Sequence, residues 1–212
     1  MKTDPFTDAL AFLLGNSPDH VSLGALRYPF AALFAALLVA SAVVARMNWS
    51  RDPAQRTGAA LWTWLFRVLM GSMWFQGAIW KMPLPVSGGL QYWTEQMAGN
   101  AAFPFQADLV RSLILPNMAV FDPLVLLVEL GLATSLILGI AVRPVAALGV
   151  LYVLGLWIGL YRHPAEWPWT YVFIAIVQGQ FAVHDAGRSL GADALRRQRT
   201  MPGPVTSGTI RA

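Results

Sequence analysis

The chain has 212 residues, 56% of them hydrophobic and only 12% charged, with a formal net charge of +4. Soluble domains carry roughly 25% charged residues, so this composition excludes a water-soluble core and indicates an integral membrane protein. Cysteine is absent, which excludes thiol–disulfide chemistry and thiolate metal ligation. The basic residues are spread over loops and tail, which fits membrane topology rather than a nucleic-acid partner.

Five apolar segments reach the length of a bilayer span, roughly 17–25 residues. In chain order they are predicted at Leu26–Ala45, Ala60–Trp80, Pro123–Val142, Val145–Tyr161 and Pro168–His184. Lipid offers backbone groups no partners, so each is read as a helix. Asp122-Pro123 is read as an N-cap followed by proline at the first helical position, and Arg143-Pro144 and Trp167-Pro168 open the last two helices. Ala40-Ser41-Ala42 faintly resembles a signal-peptidase site, but the apolar run is long and late, so the first span is expected to stay uncleaved.

The longest connection, Lys81–Phe121, is expected to form short amphipathic helices on the outer surface, near Leu90–Met97 and Gln106–Leu115. The chain thus divides into an N-terminal segment with the first span (1–58), a four-helix membrane core (59–195) carrying the loop 81–121, and a flexible cytoplasmic tail (196–212) rich at its end in Pro, Gly, Ser and Thr. Nine Lys and Arg residues fall on the side of the 46–56 loop, Arg143 and the tail, against five on the other. The positive-inside rule then puts the C-terminus in the cytoplasm and the N-terminus outside a bacterial inner membrane.

Two charges fall within the apolar runs: Arg67 in the second and Glu129 in the third. A charge at the centre of a spanning helix costs about 2.5–3.5 kcal/mol on insertion scales, so these residues are the first candidates for a site. Helical spacing puts Arg67, Gly71, Trp74, Ala78 and Lys81 on one face, and Asp122 and Glu129 on one face of the next helix. Arg67 falls about 4–5 Å to the cytoplasmic side of midplane and Glu129 about 5 Å to the outer side. The expected network joins Arg67 to Gln178 and Gln180, with Glu129 reached directly or through water. A functional version has Glu129 exchange a proton while Arg67 holds its charge or a quinone oxygen; a structural version has the pair fix helix register. One sequence does not separate the two.

His20, His163 and His184 fall before the first span or near span ends, which does not suit a bis-histidine haem. His163 is expected at the outer turn, beside Glu166, and His184 at the end of the fifth span, beside Asp185 and Arg188. No spacing typical of a metal site appears, so neither haem nor metal is predicted. Gly155 and Gly159 mark a close helix contact, and Gly187 and Gly191 a turn.

Three groups of residues together resemble the DoxX superfamily, and the extra leading span resembles its DoxD-like branch. They are Arg67-x-x-x-Gly71 with Phe75-x-Gly77 and Lys81-Met82; Glu129-Leu130-Gly131 with Leu138-Gly139 and Arg143-Pro144; and Asp185-Ala-Gly-Arg-Ser-Leu-Gly-Ala-Asp193. The last departs from the family pattern, with Asp185 in the place of its first glycine. The resemblance covers about two-thirds of the chain, residues 60–195. It implies a four-helix core with both ends in the cytoplasm, and a small membrane subunit of a redox complex such as the DoxD subunit of thiosulfate:quinone oxidoreductase.

The reading is an all-α integral membrane protein with about five transmembrane helices, acting as the membrane subunit of a quinone-linked oxidoreductase complex. Arg67 and Glu129 are the expected catalytic residues; Trp74, Gln76, Gln178 and Gln180 are the expected contacts to a quinone. Electrons arrive from another subunit docked on the outer loop 81–121. Whether the chain catalyses anything alone is left open. A non-catalytic membrane anchor or assembly subunit is the alternative, and a small-solute carrier a third class, although no repeat or broken helix marks one.

Overall fold

The computed structural model describes residues 4–200, with side chains as far as residue 197. Helix α1 (Pro5–Leu13) opens on Asp4, whose carboxylate accepts from the Thr7 hydroxyl and from the Thr7 and Phe6 amides. The Thr7 hydroxyl and then its amide hold that carboxyl below its ordinary value. Short 3-10 turns over Pro18–Leu26 lead into α2 (Arg27–Arg51). Then follow α3 (Gly58–Ile79), α4 (Gly88–Asn100), α5 (Pro104–Leu109), α6 (Met118–Leu138), α7 (Val142–Gly159), α8 (Pro168–Val183) and α9 (Ala192–Thr200). No strand occurs among the described residues.

A helix covers each of the five apolar segments. Three helical stretches, Pro5–Arg51, Pro104–Leu138 and Val142–Gly159, are long and apolar enough to cross a membrane. α3 packs chiefly on α6, and α7 on α8, with α2 laid against α6. The core joins Phe34 and Leu37 of α2, Phe75 and Ile79 of α3, Leu132, Leu136 and Ile137 of α6, Val153 of α7 and Phe181 of α8. Outside this core, large apolar side chains face outward on every long helix, including Leu33, Val43, Leu69, Leu127, Leu151 and Ile176. Burial inside and apolar exposure outside is the distribution a lipid solvent demands.

Several local expectations are corrected. Asp122 does not cap α6, which begins four residues earlier at Met118 and carries Pro123 within it. Its carboxylate accepts instead from the Ser87 amide, so α6 is tied to the start of α4, where the Ser87 hydroxyl caps the helix. The second amphipathic helix is not separate: α5 runs through a π turn (Val110–Ile114) and a 3-10 turn (Leu115–Asn117) into α6. Helix α9 reaches Thr200, so the first five residues of the expected flexible tail are helical; residues 201–212 lie outside the described residues. Glu166 pairs with the Tyr171 hydroxyl, 2.8 Å away, while His163 packs on Trp93.

Close approaches fix the helix pairs. A Cβ on Gly71 would meet Ile137 at 2.7 Å, and one on Gly159 would meet Met97 at 2.4 Å. Gly149 of α7 lies against the fully buried amide of Gln178 in α8, and an added Cβ would stand 2.1 Å from its Oε1. Gly149→Ala is therefore expected to cost about 1–3 kcal/mol by overpacking, read as a lower melting temperature in detergent.

Candidate functional site

Arg67 and Glu129 serve separate ends of the bundle. Arg67 is completely buried, and its guanidinium donates to the carbonyls of Leu136 and Ile137 at the C-terminus of α6. A helix end leaves such carbonyls without intrahelical partners and carries partial negative charge, so a buried cation belongs there. Gly139 closes α6 at φ +72°, and a Cβ there would meet Arg67 Nη1 at 2.6 Å. Asp193 stands within electrostatic reach of Arg67, and its two oxygens accept from the Ala141 and Val142 amides at the start of α7. Asn48 donates to Gly191 O at 2.9 Å and Ser41 to Ile137 O at 2.6 Å. The residues of the third motif thus build a knot that holds the ends of α2, α6 and α7 together. Asp185 adopts φ +51° within it, a conformation in which glycine is the easiest residue and aspartate one of the few tolerated.

Glu129 is bound at the opposite end. Lys81 Nζ lies 2.6 Å from its Oε2, with both side chains almost fully buried. The Tyr152 hydroxyl donates to Oε1 at 2.9 Å. Lys81 also donates to Gly77 O at 2.7 Å and stands 3.9 Å from the centre of the Trp80 ring. Trp74 packs on Tyr152 with ring centres 5.6 Å apart, and Asp122 adds a second carboxylate within electrostatic reach of Lys81. Lys81 from the turn after α3 and Tyr152 of α7 thus converge on one buried carboxylate of α6.

The expected network of Arg67 with Glu129, Gln178 and Gln180 does not form. Arg67 meets α6 at residues 136–137, seven or eight positions past Glu129, a rise of about 11–12 Å. Gln178 is buried against Gly149, whereas Gln180 is exposed, because two positions along a helix turn a side chain to the other face. Trp74 and Gln76 part for the same reason. Trp74 faces the core beside Tyr152, while Gln76 is exposed and donates to Asp19 Oδ2 at 2.7 Å. Lys81 and Tyr152 were not expected as partners of Glu129. The available signal was Lys81 on the face shared with Trp74, and Tyr152 as a hydroxyl placed in an apolar run.

Gln76 opens onto a cleft of about 720 Å³ between α1, the 17–19 turn, α2 and α3. Its walls are mostly apolar, including Phe12, Leu13, Phe34, Leu38, Leu69 and Met73; Asp8, Ser17, Asp19, Ser72 and Gln76 are the polar groups. Ligand pockets commonly enclose about 300–1,000 Å³ with apolar walls and few polar groups. The cleft lies on the face of α3 opposite Arg67, Trp74 and Lys81. Among the described residues, no group of three or more His, Cys, Asp or Glu is placed to hold a metal ion. No family model, curated protein or solved structure matches the chain.

Proposed function

We propose that the chain is an integral membrane subunit of a quinone-linked oxidoreductase, of the DoxX type with a DoxD-like leading span. It crosses the bacterial cytoplasmic membrane five times, through α2, α3, α6, α7 and α8, with the N-terminus outside and the C-terminus in the cytoplasm. The observation that carries this reading is the cleft at Gln76. A lipid-soluble ring with one or two oxygens suits apolar walls of that volume, and Gln76 and Asp19 offer an amide donor and a carboxylate acceptor inside it. A quinone supplies two-electron, two-proton chemistry there. Gln76 would orient a ring oxygen, Asp19 would pass one proton and water at the open mouth of the cleft the other, and the two electrons would come from another subunit on the 81–121 segment. In this reading Arg67 and Glu129 do not touch the quinone; they hold α3, one wall of the cleft, against α6.

The alternative, a non-catalytic anchor or assembly subunit, is favoured by the engagement of Arg67 and Glu129 in bonds within the chain. Gln76→Leu and Asp19→Asn separate the two readings, because both side chains lie outside the buried core. The quinone reading expects Gln76→Leu to raise KM for a soluble quinone by up to about tenfold, the scale of one lost hydrogen bond, with accumulation unchanged. Unaltered quinone kinetics in both variants would leave the anchor.

A further inference from the structure

We propose that the end of the bundle where α7 begins binds the phosphates of an anionic phospholipid. A cavity of about 450 Å³ lies there, with Arg143 from the first turn of α7, Arg188 from the turn after α8, and Arg196 and Arg197 from α9 in its wall. All four arginines are exposed, so they reach this cavity from three separate elements without being buried in the core. Asp185 and Asp193 also line it. Asp193 is committed to the Ala141 and Val142 amides, and Asp185 to Arg188 at 2.6 Å. Arginines from three elements converge on this one cavity, a spacing that a head bearing two phosphates can bridge. Guanidinium is the cation whose planar fork matches phosphate oxygens.

The source of those phosphates follows from what lies beside the cavity. α6 ends at Leu138 and α7 starts at Val142, so the arginines stand at the ends of apolar helices, at headgroup level. From Pro144 an exposed apolar stripe runs along α7 through Ala147, Leu148 and Leu151, at the i, i+3, i+4, i+7 spacing of one face. Val183, 70% exposed, closes the same end of α8. A soluble anion has no use for that stripe, whereas acyl chains lie along it. Basic pockets between spanning helices at the cytoplasmic side are a recognised form of doubly anionic lipid recognition. The inference is independent of the quinone chemistry and rests only on the membrane topology proposed above.

The test uses the full chain in detergent, with diphosphatidylglycerol, phosphatidylcholine and inorganic pyrophosphate as probes, bound lipid being counted by native mass spectrometry and melting followed in parallel. Diphosphatidylglycerol is expected to bind saturably and raise the melting temperature, and phosphatidylcholine to do neither. Arg143→Gln/Arg196→Gln/Arg197→Gln is expected to lose roughly tenfold or more in affinity, while the charge-preserving lysine triple keeps most of it. Should the glutamine triple fail to fold, Arg143→Gln alone, expected to weaken binding measurably, replaces it. Equal binding of phosphatidylcholine, or full binding by the glutamine variants, would overturn the site. Pyrophosphate matching the lipid in affinity would overturn the lipid assignment.

Discussion

Lys81→Met is expected to destabilise the protein by about 3–5 kcal/mol, because it leaves the Glu129 carboxylate buried with no cation. Glu129 keeps only the Tyr152 hydroxyl at 2.9 Å, and Asp122, equally buried, loses the same neighbouring charge. Breaking one half of a buried pair costs more than the pair is worth, since removing both charges also removes both desolvation penalties. Lys81→Met/Glu129→Leu should therefore recover most of the loss. The double-mutant cycle, read by denaturant or thermal unfolding in one detergent, is expected to show strong coupling. Two additive single effects would mean that the 2.6 Å pair does not persist in the detergent-solubilised protein.

Arg67→Met carries the second largest expected effect. The Leu136 carbonyl loses its guanidinium donor, and an unsatisfied buried carbonyl costs about 1–3 kcal/mol. The Ile137 carbonyl still accepts from Ser41, which limits the damage to one group. Relief from desolvating the guanidinium offsets part of the loss, so the effect falls below that of Lys81→Met. Arg67→Lys is expected to be intermediate: it keeps charge near the α6 terminus and Asp193 but loses the planar fork. Loss of tail anchoring would appear separately, as faster proteolysis after residue 185, because Asn48, Gly139 and Asp193 share the same knot.

The helices were legible in the sequence because lipid leaves few alternatives: a long apolar run without alternation must be helical. Trp167-Pro168 opened α8 as expected, with Pro168 its first residue. Asp122 misled because its local pattern is that of a cap, while its actual donor, the Ser87 amide, comes from 35 residues away. Helical spacing correctly grouped Arg67, Gly71, Trp74 and Ala78 on one buried face. Estimated depth then matched Arg67 to Gln178 and Gln180, with Glu129 reached only directly or through water. Each charge instead found a nearer partner: a helix terminus for Arg67, and for Glu129 a lysine just beyond the end of α3. Backbone carbonyls that accept side-chain donors leave no trace in a residue pattern. The cleft at Gln76 was invisible for a similar reason, since it needs α1 and the 17–19 turn folded back onto α3.

The most direct measurement is purification of the tagged chain from native membranes in mild detergent, with partners identified and quinol formation assayed on the isolated complex. The quinone-linked reading expects a stoichiometric redox subunit and quinone reduction that Gln76→Leu diminishes. A stoichiometric partner without redox chemistry, or a solitary chain with no quinol formed, would contradict it.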